Sequence, residues 1–150
     1  MEICKYKFKY RAQCIEAFDS NIGQYFAPSE RAEFIGYIDA VVEGSEYYVC
    51  IEAGSGKLLG CGGIGFNSSK AFLAWGLVHK SFHGQGIGTV LTDYRLSHLK
   101  QNTLVNTVQI ETSQHTQGFY KKRGFIVTKT EPNGFGEGID RVAMELKVAR

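Results

Sequence analysis

The sequence predicts an α/β protein built on a mixed, twisted sheet of about six to seven strands. Two observations carry this. Strand-like and helix-like stretches follow one another as strand, helices, three strands, helix, strand, helix, two strands, without the strict alternation of a doubly wound parallel sheet. The chain has 150 residues, 43% of them apolar and 13% aromatic, which suits one domain over residues 1–150 with one substantial core.

Residues 3–10 alternate and read as a first strand. Residues 11–18 read as a short helix with Cys14, Ile15 and Phe18 on its apolar face. Pro28 and Ser29 mark a second helix start, with Ser29 as a capping residue. Phe34, Tyr37, Ile38, Val41 and Val42 then recur at three and four positions, and the helix ends near Gly44.

Residues 47–52 are rich in strand formers and run into the turn Ala53-Gly54-Ser55-Gly56. Residues 58–66 form the other arm of that hairpin. After a turn at 67–70, residues 71–78 are almost wholly apolar, the pattern of a strand covered on both faces. A glycine-rich loop leads to a helix over 86–100, with Ile87, Val90, Leu91, Tyr94 and His98 on one face. In residues 107–112, Val108 and Ile110 point one way, Gln109 and Glu111 the other. Residues 116–123 form a short helix closed by Gly124. Residues 125–130 and 141–148 are the last strands, the second with a stripe of Val142, Met144, Leu146 and Val148.

Formal net charge is +2, with no basic stripe, so a nucleic-acid partner is not expected. Cys4, Cys14, Cys50 and Cys61 have no C-x-x-C spacing and sit among apolar residues. They read as buried reduced thiols; no metal site is expected. With no apolar leader after Met1 and no long uncharged span, the chain is expected to be cytoplasmic and without a membrane partner.

The most informative segment runs from Leu77 and Val78 through His79, Lys80, Ser81, Phe82, His83, Gly84, Gln85, Gly86, Ile87, Gly88 and Thr89. A strand enters a loop and the loop enters a helix, with three glycines at alternate positions. Glycine lets backbone N–H groups approach an anion without a Cβ in the way. The helix start adds unpaired donors and partial positive charge, which suits a diphosphate. Two rival motifs fail. Residues 60–65 fit G-x-G-x-x-G but lie within a strand, where the glycines serve a bulge or close packing. Gly54-Ser55-Gly56-Lys57 lacks the first glycine of a P-loop and any following helix.

Together, Val78 with Gly84, Gly86 and Gly88, and the later run from Gln117 through Phe119, Tyr120 and Lys121 to Gly124 and Phe125, resemble the two signatures of the GNAT (Gcn5-related N-acetyltransferase) superfamily. His83 departs from the Gln or Arg usual there. The resemblance implies helices on both faces of the sheet, and strands 71–78 and 107–112 splayed apart around a pantetheine arm. It implies acetyl-CoA as cosubstrate and direct attack by a primary amine in a ternary complex. On that resemblance the cofactor is held by Leu77, Val78, His83, Gly84, Gln85, Gly86, Ile87, Gly88, Thr89 and Ser113. The acetyl oxygen meets a backbone N–H near Leu77 or Val78, and Tyr120 protonates the departing thiolate.

A protonated amine cannot attack, so a base or a water chain is needed. Many relatives take it from a carboxylate on the strand before the loop, but residues 71–78 contain none. Glu111 is the preferred candidate, with a salt-bridged strand end as its other reading; Glu52, beside a turn, is the weaker one. Ser113 reads equally as a cofactor contact and as a turn residue. Tyr25, Phe26, Trp75 and the stretch 131–140 are candidates for the acceptor site, the last as a mobile lid or a solvated loop. Trp75 also reads as core. The acceptor is a small-molecule or peptide amine, and a homodimer is compatible with the sequence. The competing function is a catalytically weak acyl-CoA sensor of the same fold, and the absent strand carboxylate keeps it open.

Overall fold

The computed structural model describes residues 1–41 and 46–149. The expected positions of Val42 and Gly44 at the end of the second helix lie outside them. Among the described residues, seven strands form one sheet: β1 (Glu2–Lys5), β2 (Tyr47–Ile51), β3 (Leu58–Asn67), β4 (Lys70–Val78), β5 (Thr107–Thr112), β6 (Ile126–Gly136) and β7 (Ile139–Lys147). Four α-helices join them: α1 (Arg11–Asp19), α2 (Glu30–Ala40), α3 (Ile87–Lys100) and α4 (Gln117–Lys121). The spatial order is β1-β2-β3-β4-β5-β7-β6, antiparallel except for the parallel pair β4–β5.

The helices cover both faces. On one, Cys14, Ala17 and Phe18 of α1 and Phe34 and Ile38 of α2 pack with Tyr47, Val49 and Cys61. On the other, Leu91, Leu96 and Leu99 of α3 and Tyr120 of α4 pack with Ile64, Val108 and Met144. Each fully buried side chain such as Phe34 or Leu99 contributes roughly 1.5–3 kcal/mol of burial free energy. Cys14, Cys50 and Cys61 are buried and all four thiols are free. The neighbouring Cys61 thiol, and burial after it, push the Cys14 thiol far up, so it stays protonated.

Several elements differ from the sequence reading. The first strand ends at Lys5, and Phe8–Tyr10 form a 3₁₀ turn. That turn buries Tyr6 and Tyr10 while leaving Phe8 exposed, which mimics strand alternation. Ser29 stands at the start of α2 without making a side-chain cap; the Glu30 carboxylate accepts the Ala27 N–H instead, at 2.8 Å. β4 alternates between buried and open positions rather than being covered on both faces. The inner face of α3 is Ile87, Leu91, Thr92, Arg95, Leu96 and Leu99, whereas Val90 and Tyr94 face outward.

The stretch 131–140 is neither lid nor loose loop. β6 continues to Gly136 and β7 begins at Ile139, with Gly138 at φ 77° in the tight turn. A bulge between Glu131 and Gly136 takes up Pro132, the kind of position where a strand tolerates a missing N–H. Gln114 pins the hairpin, donating to Gly138 O at 2.8 Å and accepting from Asp140 N at 2.9 Å.

The sheet opens in its middle. β4 and β5 pair only at Lys70–Thr107, Ala71–Val108 and Phe72–Gln109. Beyond Phe72 the β3–β4 register slips between Cys61 and Gly63. Trp75, at φ 45°, and Gly76 lie in the β4 stretch facing that slip. A bulge of this kind bends its strand and ends pairing, so β4 turns away from β5 and leaves a gap. Here the expected splay is present.

Candidate active site

The gap continues into a cleft of about 1030 Å³ running from the β4–α3 loop, across β4 and β5, to α4 and the β6–β7 hairpin. The loop end is shaped by its backbone. Gly84 has φ 79° and Gly86 φ 81°, a region L side chains rarely adopt, and a methyl group on either would meet no atom within 4 Å. The space in front of both is open. Gly86 precedes α3 and no side chain caps that end, so the first-turn N–H groups of Ile87, Gly88 and Thr89 lack a capping acceptor. With the helix dipole behind them, these donors form an anion cradle. The Ile87 side chain anchors it by packing on Cys50 and Leu59.

Leu77, Val78, His83, Gly84, Gly86, Ile87, Gly88, Thr89 and Ser113 all line the cleft. Of the expected cofactor contacts, Gln85 alone is not part of its wall and is exposed. His83 places Nε2 2.9 Å from Val78 O. That carbonyl can only accept, so Nε2 carries the hydrogen, and the ring clamps the loop to the end of β4. The same carbonyl accepts from Asn21 Nδ2 at 2.9 Å. Ser113 is buried; its Oγ accepts from His115 N at 3.2 Å and its carbonyl takes the N–H groups of Thr116 and Gln117. It thus builds the turn into α4, where Thr112 and Thr116 also join their hydroxyls.

Tyr120 lies on the cleft wall and is buried. Burial raises its phenol above the ordinary value, while the charges of Arg95 and Arg123 pull the other way. The hydroxyl is therefore protonated at neutral pH. Glu111 is exposed on the cleft, with its carboxylate 3.9 Å from Arg141 Nε. Glu52 is not in the cleft: it accepts from Ser55 Oγ at 2.8 Å in the turn after β2.

Tyr25, Phe26 and Trp75 also line the cleft. Tyr25 sits edge-on to His83 and His115, with centroids 5.3 and 6.0 Å away. Trp75 belongs to an aromatic group with Phe18, Phe26, Phe34 and Tyr37, so it is both core and wall. Among the wall residues that escaped the sequence reading are Asn21, Glu30, Phe72 and Arg95. Glu30 is a buried carboxylate whose protonated form is favoured by burial, with the Ala27 N–H opposing. Only a polar residue at the buried side of a helix start hinted at it. Among the described residues no cluster of ligating side chains can hold a metal ion, and no helix is long and apolar enough to cross a membrane.

Comparison with known proteins agrees with this architecture. No curated protein matches the sequence significantly. Among solved structures, Ard1 from Thermoplasma volcanium superposes with a TM-score of 0.80 at 20% identity, covering 99% of this chain and 98% of that one. The ribosomal-protein-S18-alanine N-acetyltransferase from Escherichia coli gives 0.76 at 15% identity, covering 99% and 94%. An aminoglycoside 6'-N-acetyltransferase solved with coenzyme A gives 0.73 at 15% identity, covering 100% and 98%. At these identities the likeness is one of fold. The model of the acetyltransferase (GNAT) domain matches residues 9–148, and the chain belongs to that family.

Proposed function

We propose that the protein transfers the acetyl group of acetyl-CoA to a primary amine, small-molecule or peptide, by direct attack in a ternary complex. The observation that carries this reading is a buried, protonated Tyr120 on the same cleft as the uncapped start of α3. When bound, acetyl-CoA supplies an activated thioester, so the protein needs only to orient, polarise and exchange protons.

Each part has a role on this reading. The N–H groups from Gly84 to Thr89 receive the diphosphate, and His83 holds their loop against Val78 O. The open edge of β4 near Leu77 offers a backbone donor to the acetyl oxygen. Tyr120 delivers its proton to the leaving sulfur. Glu111 accepts a proton from the amine, directly or through water, from its place beside Arg141. Tyr25, Phe26 and Trp75 border the acceptor space, and the exposed carboxylate of Glu33 lends it negative charge that suits a cationic amine.

The test is thiol release from acetyl-CoA in the presence of an amine panel: aminoglycosides, polyamines and peptides with free N-termini. Amine-dependent release is expected. Tyr120→Phe should lower turnover on the order of 100-fold with coenzyme A affinity nearly unchanged; equal turnover removes the role of Tyr120. β4 carries no carboxylate, which favours a second reading as an acyl-CoA sensor. Tight acetyl-CoA binding without release on any amine supports that one.

A further inference from the structure

Arg95 follows Leu91 and precedes Leu99 by one helical turn each, so α3 drives it into the sheet with them. It is 1% exposed. Nη1 donates to Gly63 O at 3.1 Å, Nε to Leu91 O at 3.4 Å and Nη2 to Thr92 Oγ1 at 3.5 Å. Every one of these partners is neutral. Among the described residues, no carboxylate lies within ion-pair distance of it. A buried cation without a counter-ion is one of the most costly groups a core can hold.

The sheet is cut to admit this one. A methyl group on Gly62 of β3 would lie 2.9 Å from Arg95 Cζ, and one on Gly76 of β4 would lie 2.7 Å from Nη2. Two neighbouring strands thus forgo side chains where the guanidinium passes. An apolar residue at position 95 would avoid the charge without requiring both vacancies.

Arg95 and Tyr120 of α4 both line the cleft, and the charge of the guanidinium acts on the phenol. The other titratable groups acting on it are Tyr47 of β2, Cys61 of β3 and Tyr37 of α2, and none of them is a carboxylate. Arg123, the second cation acting on Tyr120, is neutralised by Asp93 at 3.1 Å. Of the two described cations acting on Tyr120, Arg95 is the one without a carboxylate partner.

We infer that Arg95 is a positioning residue for acetyl transfer, its unpaired charge kept beside Tyr120 to stabilise the phenolate left when that hydroxyl gives up its proton. The inference rests on the function proposed above. Tyr120 gives its proton to sulfur as the carbon–sulfur bond breaks and the amine nitrogen bonds to the acetyl carbon. The proton lost by nitrogen passes to Glu111, directly or through water, and from there to solvent, from which the phenolate recovers its own.

A double-mutant cycle tests this. Arg95→Met removes the charge and keeps most of the length. With acetyl-CoA and the panel amine giving the fastest thiol release, it should lower kcat about 30-fold beside Tyr120 but only about 2-fold beside Tyr120→Phe. Arg95→Lys, which keeps the charge, should recover most of the loss. Equal fold-losses in both backgrounds, the signature of a packing role, overturn the inference. If Arg95→Met shows no thermal transition, Arg95→Gln takes its place, since its amide can still donate to Gly63 O. A readout independent of acceptor is the titration of the Tyr120 ring carbon in protein labelled with ¹³C-tyrosine, assigned with Tyr120→Phe. Its midpoint should move upward by about one pH unit or more without the cation, and an unmoved midpoint also overturns the inference. A wild type that does not bind coenzyme A in calorimetry overturns the transferase reading and this role with it. A wild type that binds and turns over while the cycle is additive overturns the role of Arg95 alone.

Discussion

Two glycine-rich stretches lie a short way apart in this chain and use the residue for opposite reasons. In β3, Gly60, Gly62, Gly63 and Gly65 keep ordinary strand dihedrals, but each is crowded: a methyl group on any of them would come within 3 Å of a neighbour. In the loop before α3, Gly84 and Gly86 have positive φ and nothing within 4 Å. The first stretch is glycine because space is taken, the second because the backbone turns left-handed in front of empty space. Absence of a side chain marks packing where neighbours press in; open space before a left-handed glycine marks a ligand position only where, as at Gly84 and Gly86, it also borders the cleft. Mutation should therefore separate the two: strand substitutions cost stability, loop substitutions cost affinity.

The largest effect is expected from Gly86→Asp. The new carboxylate stands in front of the first-turn N–H groups of α3, where a diphosphate would sit, and repels it. Coenzyme A affinity in calorimetry should fall by about 100-fold or more. The fold should lose only the left-handed penalty, on the order of 1–2 kcal/mol. Undiminished affinity would remove the cradle from this loop. Gly63→Ala should do the reverse. Its methyl would lie 2.6 Å from Tyr47 Cδ1 and 3.0 Å from Glu46 O. Tyr47 cannot give way, being fully buried with its hydroxyl donated to Trp75 O at 2.9 Å. Chemical denaturation should show a loss of about 1–3 kcal/mol, with coenzyme A affinity little changed. A stable Gly63→Ala would mean that β3 has room it does not show.

Much of this was readable from the residues. The bounds of β5 were legible because Val108 and Ile110 face the core while Gln109 and Glu111 between and after them are more open. The loop was legible because three glycines at a strand-to-helix junction have few structural uses. The later half of β6 was not: Pro132, Gly134 and Gly136 have the composition of a loop, and only pairing with β7 holds them as strand. The inner face of α3 was misread because an arginine is among its most deeply buried residues, while the apolar Val90 and Tyr94 sit outside. Asn21 was invisible because the carbonyl it serves belongs to Val78, 57 positions away. Local pattern finds what local pattern makes; a buried polar residue whose partner is distant leaves no such trace.

The smallest expected effect is a control that isolates conformation from ligand. Gly54 lies in the turn between β2 and β3 at φ 93°, as open as Gly86 by the same measure, but it is not part of the cleft. Gly54→Ala carries the left-handed penalty alone, on the order of 1 kcal/mol. Thermal unfolding should register it as a drop of a few degrees. Coenzyme A affinity and thiol release should match wild type. If Gly54→Ala instead weakened affinity as a loop variant does, a general loosening of the fold would explain both. A loss of affinity in a loop variant would then no longer argue for the cradle.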